Sequence, residues 1–265
     1  MSSSLQDQRA LVTGSTAGIG YAIAEHLARG GAEVIINGRT QSRVDAALLS
    51  LHGKLGADVK LHGVAADVGT AAGTQALIER FADVDILVNN AGIFAVQPFL
   101  ESRDEDWHRF YDVNVLSGVR LSRHYLAGML ERNRGRVIFI SSESGIQIPV
   151  EMVHYGMTKA AQIAIARGLA QLTAGTAVTV NSVLPGPTRS EGVATFVADF
   201  AQKQNVSVEQ FERDFFATAR PTSLLKRFIE PDEVARVVAF VASPDASAIN
   251  GAAVRAEGGV VLSAF

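Results

Sequence analysis

Arg9-Ala10-Leu11-Val12-Thr13-Gly14-Ser15-Thr16-Ala17-Gly18-Ile19-Gly20 opens as a short apolar run, breaks into a glycine-rich turn and leads into the amphipathic segment 21–29. Strand, turn and helix is the reading that this change of period supports. A glycine turn placed between a first strand and a first helix exposes backbone N–H groups and the positive end of the helix, where a pyrophosphate can sit. Gly14, Gly18 and Gly20 are spaced G-x-x-x-G-x-G. That is neither the G-x-G-x-x-G fingerprint nor a P-loop, since no lysine follows the last glycine. A tight turn with close helix packing is the competing reading of the same three residues.

Outward from this stretch, strand and helix patterns alternate. Apolar runs at 33–37, 59–65, 85–88, 136–140, 177–183 and 252–255 are separated by helical patterns at 40–51, 71–81, 102–131, 153–172 and 231–241, the last with Pro231 in its first turn. Alternation at this spacing predicts an α/β fold with a doubly wound parallel sheet, buried on both faces, which is why the strands are apolar throughout. Residues 190–220 differ: Phe196 and Phe200, then Phe211 and Phe215, stand four apart among charged residues. They predict two short amphipathic helices outside the sheet and a candidate substrate lid. No linker divides residues 1–265, so one nucleotide-binding domain is expected.

At 265 residues and 48% hydrophobic, the chain can bury a sizeable core. The formal net charge is −3 with Lys and Arg scattered, so no basic stripe suits nucleic acid or an anionic membrane, and small molecules are the expected partners. There are no cysteines, which excludes disulfides, thiolate zinc sites and cysteine nucleophiles; the six histidines form no metal-spaced pair, so no metal is expected. The opening residues carry neither a basic start nor an apolar run, and no stretch has transmembrane length, so a soluble cytoplasmic protein is expected.

Tyr155-Gly156-Met157-Thr158-Lys159 places a phenol and an ammonium four residues apart, on one helix face. A tyrosine needs a pKa shift of about three units, roughly 4 kcal/mol, to act near neutral pH, and a unit charge about 4 Å away contributes that order at an effective dielectric near 20. Taken alone, the spacing also suits a solvated helix face. In chain order, further landmarks join it: Asn89-Asn90-Ala91-Gly92, Asn114 within Asn114-Val115-Leu116-Ser117-Gly118, Ser142 thirteen residues before Tyr155, Asn181-Ser182-Val183-Leu184-Pro185-Gly186, and Glu257-Gly258-Gly259.

With the T-G-x-x-x-G-x-G turn from Thr13 to Gly20, these landmarks resemble the short-chain dehydrogenase/reductase family over nearly the whole chain. The resemblance implies a Rossmann sheet of seven strands ordered 3-2-1-4-5-6-7. It implies a catalytic set: Tyr155 as general acid or base, Ser142 sharing the substrate oxygen, Lys159 lowering the tyrosine pKa and holding the nicotinamide ribose, and Asn114 positioning a water that links Lys159 to solvent. Ser142 capping a turn, and Asn114 bonding at a helix bend, are the structural alternatives. The cofactor-binding set is Gly14, Ser15, Thr16, Gly18, Ile19, Gly20, Arg39, Asp67, Val68, Asn90, Ala91, Gly92, Tyr155, Lys159, Pro185, Gly186 and Thr188. Asp67 and Val68 resemble the pair that holds the adenine ring.

Cofactor choice turns on Asn37-Gly38-Arg39-Thr40. No acid stands there to bind the adenosine ribose of NAD, and the planar charged fork of Arg39 suits a 2′-phosphate, so NADP(H) is favoured over NAD(H). Ala17 departs from the second basic residue that many NADP-using family members carry in the glycine turn. An arginine stacked on adenine would serve either nucleotide.

Phe94, Val96, Gln97, Ser144, Ile146, Gln147 and Pro187 are expected to wall the substrate space, with Phe94, Ser144, Ile146 and Gln147 as the substrate set. His154 is expected at the surface or an interface, and Trp107 in packing. The overall expectation is an oxidoreductase that moves a hydride between NADP(H) and a carbonyl or secondary alcohol of a small to medium, partly apolar molecule. The resemblance also implies a homotetramer or dimer through the helices carrying Asn114 and Tyr155. A lyase on the same fold and a nucleotide-sensing protein without turnover are the rivals.

Overall fold

The structure is a computed structural model and describes residues 5–264. Seven strands form the sheet: β1 (Arg9–Val12), β2 (Glu33–Gly38), β3 (Leu61–Ala65), β4 (Ile86–Asn89), β5 (Gly135–Ile140), β6 (Val178–Pro185) and β7 (Ala253–Ala256). Their order is β3-β2-β1-β4-β5-β6-β7, and every neighbouring pair is parallel. The doubly wound α/β architecture and the strand order expected from the sequence are both present.

Nine α-helices connect the strands among the described residues: α1 (Gly18–Arg29), α2 (Gln41–Leu55), α3 (Ala71–Arg80), α4 (Asp104–Tyr111), α5 (Ser117–Glu131), α6 (Val153–Leu172), α7 (Glu191–Gln204), α8 (Val208–Thr218) and α9 (Pro231–Ala242). Because alternate side chains of a strand point to opposite faces, β1 sends Ala10 and Val12 into one core and Leu11 into the other. Ile23 and Leu27 of α1, Leu51 of α2 and Val238 of α9 fill the first core. Leu77 of α3, Leu121 and Met129 of α5 and Ala166 of α6 fill the second. No helix among the described residues is long and apolar enough to cross a membrane.

Two departures bear on the site. The pattern at 102–131 predicts one helix, yet α4 and α5 are joined by a π-type turn over Asp112–Leu116, which contains Asn114. A hydrophobic period cannot show such a turn, because one extra residue barely disturbs the apolar face. The pattern at 40–51 likewise stops short. Helix α2 runs on to Leu55, where Gly56, at φ 95°, ends it.

Helices α7 and α8 are the two predicted between 190 and 220, and Ser190 and Ser207 cap their N-termini. Phe211 and Phe216 turn inward with Val197, Ala201 and Phe228 into a small core separate from those of the sheet. The side chain of Phe196 lies outside the described residues. The far end of this segment is tied back to the C-terminal stretch by Leu224 N–H to Gly258 O at 2.8 Å and by the Thr222 hydroxyl to Val260 O at 2.5 Å.

Candidate active site

Chain reversal after β1 depends on Gly14 and Gly18, at φ 62° and 58°. Gly20 is required for a different reason: a Cβ there would lie 2.4 Å from Asn90 Nδ2 and 2.5 Å from Gly14 O. Neutral side chains lock the turn. The Ser15 hydroxyl donates to Val12 O at 2.7 Å, and Asn37 Nδ2 donates to Ala66 O at 3.1 Å. Thr13 Oγ1 accepts from Asn90 N and Ala91 N at 2.9 Å each, and Asn90 Nδ2 donates to Thr13 O at 2.8 Å. No side chain caps the N-terminus of α1, and no acidic residue lies in its first turn. Its helical N–H groups are therefore left for an anion.

A cavity of about 640 Å³ runs from this turn to the ends of β5 and β6. Gly18, Ile19, Gly20, Asn90 and Gly92 line it at one end; Ser142, Tyr155, Lys159, Pro185, Gly186 and Thr188 line it at the other. Gly14, Ser15, Thr16 and Ala91 are absent from its wall and form the frame behind it. Arg39, Asp67 and Val68 also lie outside this cavity. They follow the paired ends of β2 and β3, where Gly38 faces Ala65. Arg39 is exposed and makes no ion pair among the described residues.

Ser142 closes a short turn, its Oγ accepting Ser144 N–H at 3.1 Å. It therefore does cap a turn while also lining the cavity. Its own proton goes to Glu143 Oε2 at 2.5 Å. Lys159 is buried, and its Nζ donates to Ile140 O at 2.9 Å and to Gln162 Oε1 at 3.2 Å. Burial pulls its pKa down to about 8, against a smaller upward pull from Glu143. The Asn114 amide is held by Ile93 and Thr158, with Nδ2 donating to Ile93 O and Thr158 Oγ1 at 3.0 Å each. The Asn114 carbonyl, within the π-type turn, accepts Gln162 Nε2 at 2.6 Å. Thus Gln162 joins Asn114 to Lys159.

Lys159 is not directed at the Tyr155 hydroxyl in the structure. The ammonium lies 5.5 Å from the Tyr155 ring centroid and is turned toward Ile140 and Gln162. Burial raises the Tyr155 pKa, Glu143 raises it further, and the groups that oppose the rise are Ser142 and Arg220.

Ile146 and Gln147 are exposed and do not line the cavity, because the turn after Ser142 carries them outward. Ser144 does line it, but is buried with its hydroxyl on Glu143 at 3.2 Å. His154 is buried rather than at the surface, because α4 packs over its face of α6; its ring lies 4.2 Å from that of Phe110 and 6.2 Å from that of Trp107. Trp107 is a packing residue, as expected. Phe94 and Val96 line the cavity with Met152, Val193 and Phe215.

Four residues of the site escape sequence reasoning: Arg43, Glu143, Gln162 and Arg220. A signal existed for two. Glu143 is the one charge in Ser141-Ser142-Glu143-Ser144-Gly145, and Gln162 interrupts the alanine-rich run three residues after Lys159.

A neutral phenol, a serine oxygen and a buried ammonium at one end of a cavity, with an uncapped helix N-terminus at the other, can bind a dinucleotide and protonate a substrate oxygen. Comparison with known proteins gives the family. A profile described as short chain dehydrogenase matches residues 8–200. The chain belongs to the short-chain dehydrogenase family. It is 48% identical over 265 residues to the uncharacterized oxidoreductase YvaG of Bacillus subtilis (strain 168), covering all of both chains. It is 35% identical over 260 residues to the 3-oxoacyl-[acyl-carrier-protein] reductase FabG of Aquifex aeolicus (strain VF5), covering 97% of this chain and 98% of that one. Among solved structures it resembles L-sorbose reductase from Gluconobacter frateurii complexed with NADPH and L-sorbose, with a TM-score of 0.92 at 30% identity, covering 99% of this chain and 100% of that one. This short-chain dehydrogenase is thus an oxidoreductase by family.

Proposed function

We propose that this protein uses NADP(H) to interconvert a carbonyl and a secondary alcohol on a small to medium, partly apolar molecule. The observation that carries the proposal is the meeting of Tyr155, Ser142 and Lys159 with the glycine turn in one cavity. The residues fit a dinucleotide: Gly18 to Gly20 and the free N-terminus of α1 would hold its pyrophosphate, Lys159 its nicotinamide ribose, and Pro185, Gly186 and Thr188 the nicotinamide side. Asp67 and Val68 would hold the adenine, and Arg39 a 2′-phosphate. The bound nucleotide supplies or accepts the hydride.

The chain's own part is proton transfer and charge stabilisation. Tyr155, protonated at neutral pH, donates its hydroxyl proton to the substrate oxygen in reduction and takes it back in oxidation. Ser142 orients that oxygen. Asn114 would position a water through which the proton is replaced by way of Lys159, and Gln162 ties the two together by hydrogen bonds of 3.2 and 2.6 Å. Phe94, Val96, Met152 and Phe215 give the substrate an apolar wall, and 191–220 is the lid over it. Support for NADP(H) comes from the unpaired Arg39 and from the NADPH complex of L-sorbose reductase. Assembly as a homotetramer or dimer through α5 and α6 belongs to the same reading, and sedimentation velocity tests it.

Titration with NADPH and NADH, followed by nicotinamide fluorescence and then a carbonyl and alcohol panel, tests the proposal. Binding with turnover of at least one panel member is the expected result. Binding of neither nucleotide would favour a nucleotide-free lyase, and binding without turnover a sensor.

A further inference from the structure

Glu143 has no part in the mechanism just described, yet it is 4% exposed and stands directly behind Ser142. Both its oxygens are engaged. One accepts the Ser142 hydroxyl at 2.5 Å; the other accepts the Ser144 hydroxyl at 3.2 Å and Arg220 Nε at 3.4 Å. Arg220 comes from 77 residues away, two positions past the end of α8. Its side chain is 12% exposed, its Nη1 reaches Glu151 Oε1 at 3.3 Å and its guanidinium lies 5.7 Å from the Phe215 ring centroid.

A buried carboxylate that loses its partner is strongly unfavourable, so Glu143 depends on a residue delivered by the 191–220 segment. The charge also bears on the reaction. Negative charge develops on the substrate oxygen in carbonyl reduction, and a bare carboxylate behind Ser142 would oppose it. Groups facing Glu143 come from each element around it: Ser142 and Ser144 on its own turn, Glu151 before α6, Tyr155 and Lys159 on α6, and Arg220. Glu151 is itself negative, and Lys159 is turned to Ile140 and Gln162, so neither replaces Arg220.

We infer that Arg220 is a positioning residue: seated on Glu143 and Glu151, it neutralises the carboxylate behind Ser142 and fastens the 191–220 segment to the reacting groups. The inference rests on the carbonyl-reductase reading for its effect on rate, but not for the fastening. Tyr155 stands to feel the loss, because Glu143 raises its pKa and Arg220 opposes the rise.

The test compares Arg220→Met, Arg220→Lys, Glu143→Gln and the Glu143→Gln/Arg220→Met double variant with the wild type. With a carbonyl substrate and NADPH, Arg220→Met is expected to lower kcat on the order of a hundredfold at about pH 8, with KM within about threefold. Arg220→Lys restores most of the rate, and the double variant approaches Glu143→Gln. A loss that neither Arg220→Lys nor Glu143→Gln rescues, or no loss at all, overturns the electrostatic role. Hydrogen exchange of the cofactor-free protein is the second arm. Arg220→Met should speed exchange in both 141–146 and 208–218 on the order of tenfold, and Arg220→Lys should reverse this. Unchanged exchange overturns the fastening. If the wild type reduces no carbonyl, the reductase reading fails, and the exchange arm still decides whether Arg220 fastens the segment.

Discussion

At the glycine-turn end of the cavity, Thr13, Ser15, Asn37 and Asn90 hold β1, β2 and β4 together through hydrogen bonds to backbone, and none of them is charged. At the opposite end, the closing segment keeps a phenylalanine core of its own and meets the catalytic loop through charges: Arg220 with Glu143, and with Glu151 just before α6. The first end is built from strand termini fixed by sheet register, so it opens only when the sheet does. The second is an attachment that can loosen while the sheet stays folded. A nucleotide site gains from the first arrangement, and a substrate site that must admit and release molecules gains from the second.

Lys159→Met gives the largest expected effect on this comparison. It removes the ammonium from the junction of the two ends and should lower kcat on the order of a thousandfold. It also has a signature in stability. The folded pKa of about 8 lies below the ordinary lysine value of 10.5, so the unfolded chain binds more protons between those values. Stability contributed by this group therefore rises with pH through that window. The wild type should gain about 3 kcal/mol relative to Lys159→Met between pH 8 and pH 10.5, as read by denaturant unfolding at each pH. A difference that does not change with pH would remove the buried ammonium from the account.

Phe228→Ala comes next. Phe228 is 3% exposed, with its ring 5.3 Å from Phe215 and 5.1 Å from Phe216. Its loss should cost the closing segment about 3 kcal/mol, seen as faster exchange over 191–218 while the sheet keeps its protection and NADPH affinity stays within a few-fold. Loss of protection throughout the sheet would show that the two ends unfold as one. Arg39→Ala is the smallest effect. NADPH should bind about tenfold more weakly and NADH within twofold, by fluorescence titration. Equal losses for both nucleotides would reverse the cofactor assignment.

The same comparison explains how much the sequence disclosed. The sheet and the glycine turn were legible because each strand-turn-helix unit is local and its apolar period unambiguous; the strand order came with the family resemblance. Tyr155, Ser142 and Asn114 were legible as landmarks, and all three come to the cavity or to its supporting network. The Asn114–Gln162–Lys159 link was not, since it depends on a backbone carbonyl within a π-type turn that leaves the apolar pattern unchanged. Nor was the Glu143–Arg220 pair. An amphipathic pattern shows that 208–218 is a helix, but not which buried carboxylate its trailing arginine will meet. His154 was misplaced for a related reason: helix geometry gave its angle from Tyr155 and could not show that α4 covers that side.

The central claim is that a neutral Tyr155 lining the cavity passes a proton to a substrate oxygen in an NADP(H) enzyme. Turnover and NADPH affinity of Tyr155→Phe, measured side by side with the wild type on a carbonyl that the wild type reduces, test it most directly. The account predicts that turnover falls by about a thousandfold or more while NADPH affinity stays within a few-fold. Turnover that survives unchanged would contradict it.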